Sequence, residues 1–253
     1  MITPGTAILV TGATGSIGFE IAAQAAEQDG VVGVHGSSES SAQAALERLR
    51  ARVPGARLVA APADYRQPGA IGAMVHGFAA AAGRIDAVVD CAIAGPEGVT
   101  GPFANLDPDV FGPHAAAAIA AVQTLCHACI PHLSKQGGAL VAFASDSGRF
   151  AAPRQSVVGA SRAGIIGFVR NIGLELARDG IRVNCISPSF VEDTSLFERF
   201  HRAAEGRVEA SRRRAGLGLP RPADIAPLAL FLAGPNSAKI TGQVISVNGG
   251  LNA

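Results

Sequence analysis

The chain has no tryptophan, a single tyrosine and only 16% charged residues. Lysine and arginine together number 21 against 20 aspartates and glutamates, a formal net charge of +1. That balance leaves no electrostatic excess to grip a phosphate backbone or an anionic bilayer, which argues against nucleic acid and membrane as partners. No basic leader with a cleavage site precedes the first apolar run, so a cytoplasmic protein is expected. Four cysteines, Cys91, Cys126, Cys129 and Cys185, are too few for a disulfide scaffold and read as reduced thiols in apolar segments. Cys126 and Cys129 form a C-x-x-C beside His127, but no second ligand pair stands at zinc spacing, so core packing is expected and no metal. His114, His132 and His201 likewise lack acids at ligand spacing and read as packing or surface residues. The charge-free run from Ala115 to Leu133 is long enough for a membrane span, yet Gln123, Thr124, His127, Pro131 and His132 interrupt it, and it reads as a buried helix.

What the chain does have is length, apolar content and glycine: 253 residues, 48% hydrophobic, 31 glycines and 15 prolines. Strand and helix signals alternate throughout. Strands are predicted at Ala7–Thr11, Val31–His35, Arg57–Ala61, Ala87–Cys91, Ala139–Ala144, Arg182–Ile186 and Val244–Val247. Helices are predicted at Phe19–Gln28, Ser41–Val53, Ala70–Gly83, Pro113–Leu133, Val157–Asp179 and Ala223–Ala233. The alternation implies one α/β domain over 1–253, a Rossmann-like, doubly wound, seven-stranded parallel sheet with helices on both faces. Residues 189–222 stand out as an insert after a strand end. They are either a lid over a pocket at the carboxyl ends of the strands or a solvated loop with an amphipathic helix.

Gly12, Gly15 and Gly18, with Ser16 and Ile17 between them, form G-x-x-G-x-x-G directly after the first strand and open the first helix. Glycines there permit a tight turn, bring backbone N–H groups near a pyrophosphate and let the helix pack on the strand. The turn suits a dinucleotide. At the end of the second strand, His35-Gly36-Ser37-Ser38-Glu39 offers neither the acid that binds an adenosine ribose nor a base for a 2'-phosphate, so NAD and NADP are not distinguished. Glu39 reads instead as the start of the next helix, where a carboxylate complements the dipole.

These stretches resemble the short-chain dehydrogenase/reductase family along essentially the whole chain. The resemblance rests on the glycine turn, Asp64 after the third strand, Ser145-Asp146-Ser147-Gly148 after the fifth, Arg182 to Pro188 followed by Thr194, and the ending Ile240 to Gly250. It implies an NAD(P)-dependent oxidoreductase that forms dimers or tetramers, with the glycine turn and Asp64 as cofactor-binding positions. The family's catalytic serine falls on Ser145, but its tyrosine position is Val158, its lysine position Arg162 and its helix asparagine position Ala118. The loop commonly written Asn-Asn-Ala-Gly reads Asp90-Cys91-Ala92-Ile93.

Valine carries no transferable proton, and the sole tyrosine, Tyr65, is expected on the far side of the cofactor site. Arg162 keeps a charge but cannot act as a base at neutral pH, and Ile93 adds bulk where a glycine normally lets the backbone approach the cofactor. Ser145 either hydrogen-bonds a ligand oxygen or caps a turn. Arg162 pairs either an anionic ligand or a carboxylate such as Asp90 or Asp146, and Asp90 is either a proton-transfer group or a paired loop carboxylate. The leading expectation is a catalytically degenerate member, a pseudoenzyme acting as a structural or regulatory subunit of a homo- or hetero-oligomer beside an active paralogue. Gly159, Ala163 and Gly167, spaced along one helix, would provide close subunit packing. The alternatives are an oxidoreductase or other enzyme of altered chemistry using Ser145, Arg162 or Asp90, and a module that senses NAD(P).

Overall fold

The computed structural model describes residues 1–92 and 95–252, except for the side chains of Ala203 and Ala204. Seven short apolar segments become strands β1 (Ala7–Thr11), β2 (Val31–Val34), β3 (Arg57–Ala60), β4 (Ala87–Asp90), β5 (Gly138–Phe143), β6 (Ile181–Pro188) and β7 (Val244–Val247). They form one parallel sheet in the order β3-β2-β1-β4-β5-β6-β7. Buried on both faces, the central strands have no need of alternation, and every residue of β1 and β4 is buried. Helices α1 (Ser16–Glu27), α2 (Glu39–Arg52), α3 (Ala70–Ala82), α4 (Phe111–Leu133), α5 (Ser156–Glu175), α6 (Ser195–Arg214) and α7 (Pro222–Ala233) complete the fold. Two large apolar clusters lie on the two sides of the sheet, one holding Ile21, Leu46 and Leu230, the other Phe78, Leu125 and Ile165.

The seven strands and six predicted helices follow in the order read from the sequence, with differences at their ends, and a further helix, α6, lies within the insert. α1 begins at Ser16 rather than Phe19, because Gly18, the last glycine of the turn, already lies within the helix that Gly15 precedes. α2 begins at Glu39, capped by Ser38, whose hydroxyl accepts from the Ser41 amide, so Glu39 does open a helix. β6 continues to Pro188, paired with β7. α4 is not the wholly buried helix that its composition suggests. His114, Ala118, Val122, Leu125, Cys126, Cys129 and Leu133 make one buried stripe, and of its most apolar 18-residue window only 33% is buried. By length and composition alone this helix could cross a membrane. The small residues of α5 also divide. A Cβ on Gly159 would lie 2.6 Å from the Ser147 carbonyl oxygen, so this glycine serves packing within the chain, whereas nothing lies within 4 Å of one on Gly167.

The insert 189–222 contains α6, which starts at the Thr194 cap and packs Phe197 and Val208 with Ala215, Leu219 and Leu251 in a small cluster of its own. Two arginines reach from α6 to other loops: Arg199 pairs Glu97 at 2.7 Å, and Arg207 donates to the Pro153 carbonyl at 2.7 Å.

Candidate active site

At the carboxyl ends of β1, β4, β5 and β6 the structure gathers the glycine turn, Asp90, the Ser145 turn and Arg162. Gly12 sits at φ +63°, and a Cβ there would approach the Cys91 carbonyl oxygen to 2.7 Å, so the residue must be glycine on both conformational and steric grounds. A Cβ on Gly18 would meet the Gly12 carbonyl oxygen at 2.4 Å, which lets α1 start hard against the turn. No side chain caps α1, so its first amides remain available to an anion. One enclosed hydroxyl at this edge of the sheet, Ser189 Oγ after β6, has no hydrogen-bond partner among the described residues. An uncapped helix N-terminus behind a glycine cradle that a Cβ would fill fits a phosphate-bearing cofactor.

Asp64, after β3, is gripped by Arg66 with a shortest contact of 2.8 Å, which holds its carboxyl down to a pKa of about 2. Tyr65 is not on the far side of the site, as its position in the sequence suggests. Its ring packs 4.9 Å from that of His35, and its enclosed oxygen lies near Thr11 and Asp90; burial, reinforced by the Asp90 charge, pushes the phenol far up. Its spacing relative to β3 carried no signal for this inward turn.

Asp90 ends β4, where β1 presents Thr11 directly opposite it. Thr11 donates to Asp90 Oδ1 at 2.5 Å and accepts from the Ala92 amide at 3.2 Å. Burial raises the Asp90 carboxyl to about 6, against the opposing pull of Thr11, Ala92 and the Arg162 charge. A raised carboxylate pKa stabilises the fold below its ordinary 3.8, and that contribution disappears as pH rises through about 6. Asp90→Asn, which keeps the acceptor for Thr11, is therefore expected to raise the unfolding midpoint at pH 8, with a gain of up to about 3 kcal/mol. Parallel thermal melts should show the gain shrinking to nothing near pH 4; a constant difference across pH would contradict the assignment.

Ser145 closes β5 and caps the short turn Asp146–Gly148, accepting from the Ser147 amide at 3.3 Å and the Ser147 hydroxyl at 3.1 Å. Both bonds enter the Ser145 oxygen, and among the described residues its own proton has no acceptor. The two sequence alternatives are thus compatible: the oxygen caps the turn while the O–H stays free for a ligand. The turn rests on α5, since a Cβ on Gly148 would lie 2.9 Å from Arg162 Cβ.

Arg162 is half-buried, and burial pulls its pKa down while Asp90 and Cys185 act in the opposite sense. The expected carboxylate partner is not found. Asp146 accepts from Ser187 at 3.0 Å, Ser246 at 2.5 Å and Asn248 at 2.5 Å, and Asp90 is bonded to Thr11. Among the described residues no carboxylate lies within 4 Å of the Arg162 guanidinium. Val158 is half-buried one turn before Arg162, and Ala118 lies in the buried stripe of α4; neither supplies a polar atom. Ile93 falls outside the described residues.

Residues 12–252 match the family model described as enoyl-(acyl carrier protein) reductase. The chain belongs to the short-chain dehydrogenase/reductase family. It is 31% identical over 246 residues to the 3-oxoacyl-(acyl-carrier-protein) reductase FabG of Chlamydia trachomatis, covering 96% of each chain. Among solved structures it is similar to an actinorhodin polyketide ketoreductase with NADPH, at TM-score 0.86 and 29% identity over 99% of both chains. A short-chain type dehydrogenase/reductase from Mycobacterium ulcerans shares the fold at TM-score 0.90 and 23% identity, over 99% of this chain and 91% of that one.

These comparisons correct the expectation of a non-catalytic subunit beside an active paralogue, and with it the label of pseudoenzyme. Two relatives matched along nearly the full chain are named as 3-oxoacyl-(acyl-carrier-protein) reductases, which points to a catalytic member. The expectation rested on the absence of the family's tyrosine, lysine and asparagine at Val158, Arg162 and Ala118, yet among the described residues a Ser145 hydroxyl without an acceptor for its proton and a guanidinium with no carboxylate within 4 Å remain.

Proposed function

We propose that the chain is an NAD(P)-dependent oxidoreductase of altered proton delivery, reducing the keto group of a 3-oxoacyl thioester. The observation that carries this reading is a Ser145 proton without an acceptor and, on the helix that the same turn packs against, an Arg162 guanidinium with no carboxylate within 4 Å among the described residues. The glycine turn, from Gly12 to Gly18, and the first amides of α1 would hold the dinucleotide, whose nicotinamide supplies or takes a hydride when bound. Arg162 draws the carbonyl oxygen and offsets the negative charge that develops on it. Ser145 gives that oxygen its proton, and Ser147, already donating to Ser145 at 3.1 Å, replaces it and is recharged from water. The insert 189–222 acts as a lid, held towards the loops after β4 and β5 by Arg199 and Arg207. The outward apolar side of α4 suits assembly with further copies, and four unpaired thiols suit a reducing cytoplasm.

The test is oxidation of NADPH and of NADH by the purified chain with acetoacetyl thioesters as substrate, followed at 340 nm. Turnover above the rate without protein, lowered at least tenfold in Ser145→Ala, is the expected result. No turnover with either cofactor, together with no detectable cofactor binding, would refute the reading.

A further inference from the structure

The geometry points to His35 as the positioning residue of the dinucleotide site, an imidazole that fixes the first peptide of the glycine turn through Nδ1. This inference rests on the reading of the turn as a cofactor cradle. Where the fold would place an acid or a base at the end of the second strand, this chain has a histidine that turns inward and is only 5% exposed. Its Nδ1 accepts from the Gly12 amide at 2.8 Å, and its Nε2 lies 3.0 Å from the Ala63 carbonyl oxygen. A carbonyl can only accept and an amide can only donate. The ring is therefore neutral with its hydrogen on Nε2.

The backbone of the same residue completes the clamp. The His35 carbonyl accepts from the Ala13 amide at 3.1 Å, and the His35 amide donates to the Val10 carbonyl at 3.1 Å. Consecutive amides of the turn, Gly12 and Ala13, thus both end on one residue. On the other side of the turn, Gly12 abuts the Cys91 carbonyl so closely that no Cβ fits. The turn is held from β2 by hydrogen bonds and from the loop after β4 by contact. Tyr65, in the loop after β3, packs against the imidazole, its ring 4.9 Å away and tilted by 34°. Without the Nδ1 acceptor, the Gly12 amide would be left with no partner and the peptide free to rotate, displacing the N–H groups that face the pyrophosphate.

Two substitutions separate the two ends of the ring. In His35→Asn the amide oxygen takes the place of Nδ1 and keeps the acceptor for Gly12. In His35→Gln the side-chain amide reaches the place of Nε2 and keeps the link to Ala63 while losing that acceptor. Amide hydrogen exchange without cofactor is expected to be about tenfold faster at Gly12 in His35→Gln and near native in His35→Asn. The dissociation constants for NADH and NADPH should follow the same order, rising about five- to tenfold in His35→Gln only. In the native chain, imidazole 15N shifts should report a protonated Nε2 and a bare Nδ1.

Equal Gly12 exchange in native and His35→Gln proteins would overturn the inference, as would the opposite tautomer, which can be read even if a variant fails to fold. Should the native chain bind neither cofactor, the proposed function falls, while the exchange and tautomer measurements still decide the role of His35.

Discussion

Arg162→Gln is expected to lower kcat/KM for 3-oxoacyl thioester reduction by about a thousandfold, while Arg162→Lys retains activity within roughly tenfold of native. The reasoning is electrostatic. A preorganised donor aimed at developing charge contributes ~100- to 1000-fold in turnover, and a full positive charge in a partly dry site stands at the upper end of that range. Arg162 is preorganised in that sense: it is half-buried, it feels the Asp90 charge, and no carboxylate within 4 Å neutralises it among the described residues. Glutamine keeps length and hydrogen-bonding capacity but removes the charge, whereas lysine keeps the charge without the planar fork. Steady-state kinetics on the two variants decides the matter. If Arg162→Gln turns over like the native chain, the guanidinium has no part in the chemistry and proton supply must be sought elsewhere.

Asp146→Ala is expected to be the most destabilising polar substitution in the site, costing about 3 kcal/mol or more. This buried carboxylate opens the turn after β5 and receives Ser187 from β6, Ser246 from β7 and Asn248 from the C-terminal segment. Alanine strands several enclosed donors at once, and each unsatisfied group costs ~1–3 kcal/mol. For a chain of this size the thermal midpoint should fall by roughly 6–12 °C. Asp146→Asn keeps one oxygen for the two serines but sets an amide donor against the Asn248 donor, so a loss of about half that size is expected. A midpoint within about 1 °C of native for Asp146→Ala would mean that the network does not hold β6, β7 and the C-terminal segment together.

The same residue illustrates what reading along the chain misses. Beside Ser145 and Ser147, Asp146 looks like one more polar residue of a turn. Its partners at 187, 246 and 248 lie on strands brought alongside only by the parallel crossovers of the sheet. Asn248 belongs to the ending that carries the family resemblance, and its amide donates to Asp146 at 2.5 Å. Tyr65 shows a related limit. Its neighbours in sequence, Asp64 and Arg66, form an exposed pair, and nothing local signals that the side chain between them turns inward against His35.

What the sequence by itself determined was the architecture and the place of the site. Short apolar runs alternating with helical periodicity leave few ways to bury every strand on two faces. A glycine turn directly after the first strand marks the carboxyl edge where a ligand would lie. It also determined which groups are missing, because a valine at 158 has no transferable proton in any fold. Only the tertiary structure decided which remaining groups are free to act. Whether Arg162 is paired, whether Ser145 has a proton to give, and whether His35 faces solvent or the turn depend on distances between residues far apart in the chain. Hydrogen bonds and charges are exhausted or left available by spatial neighbours, and those neighbours are set by the packing of the whole sheet.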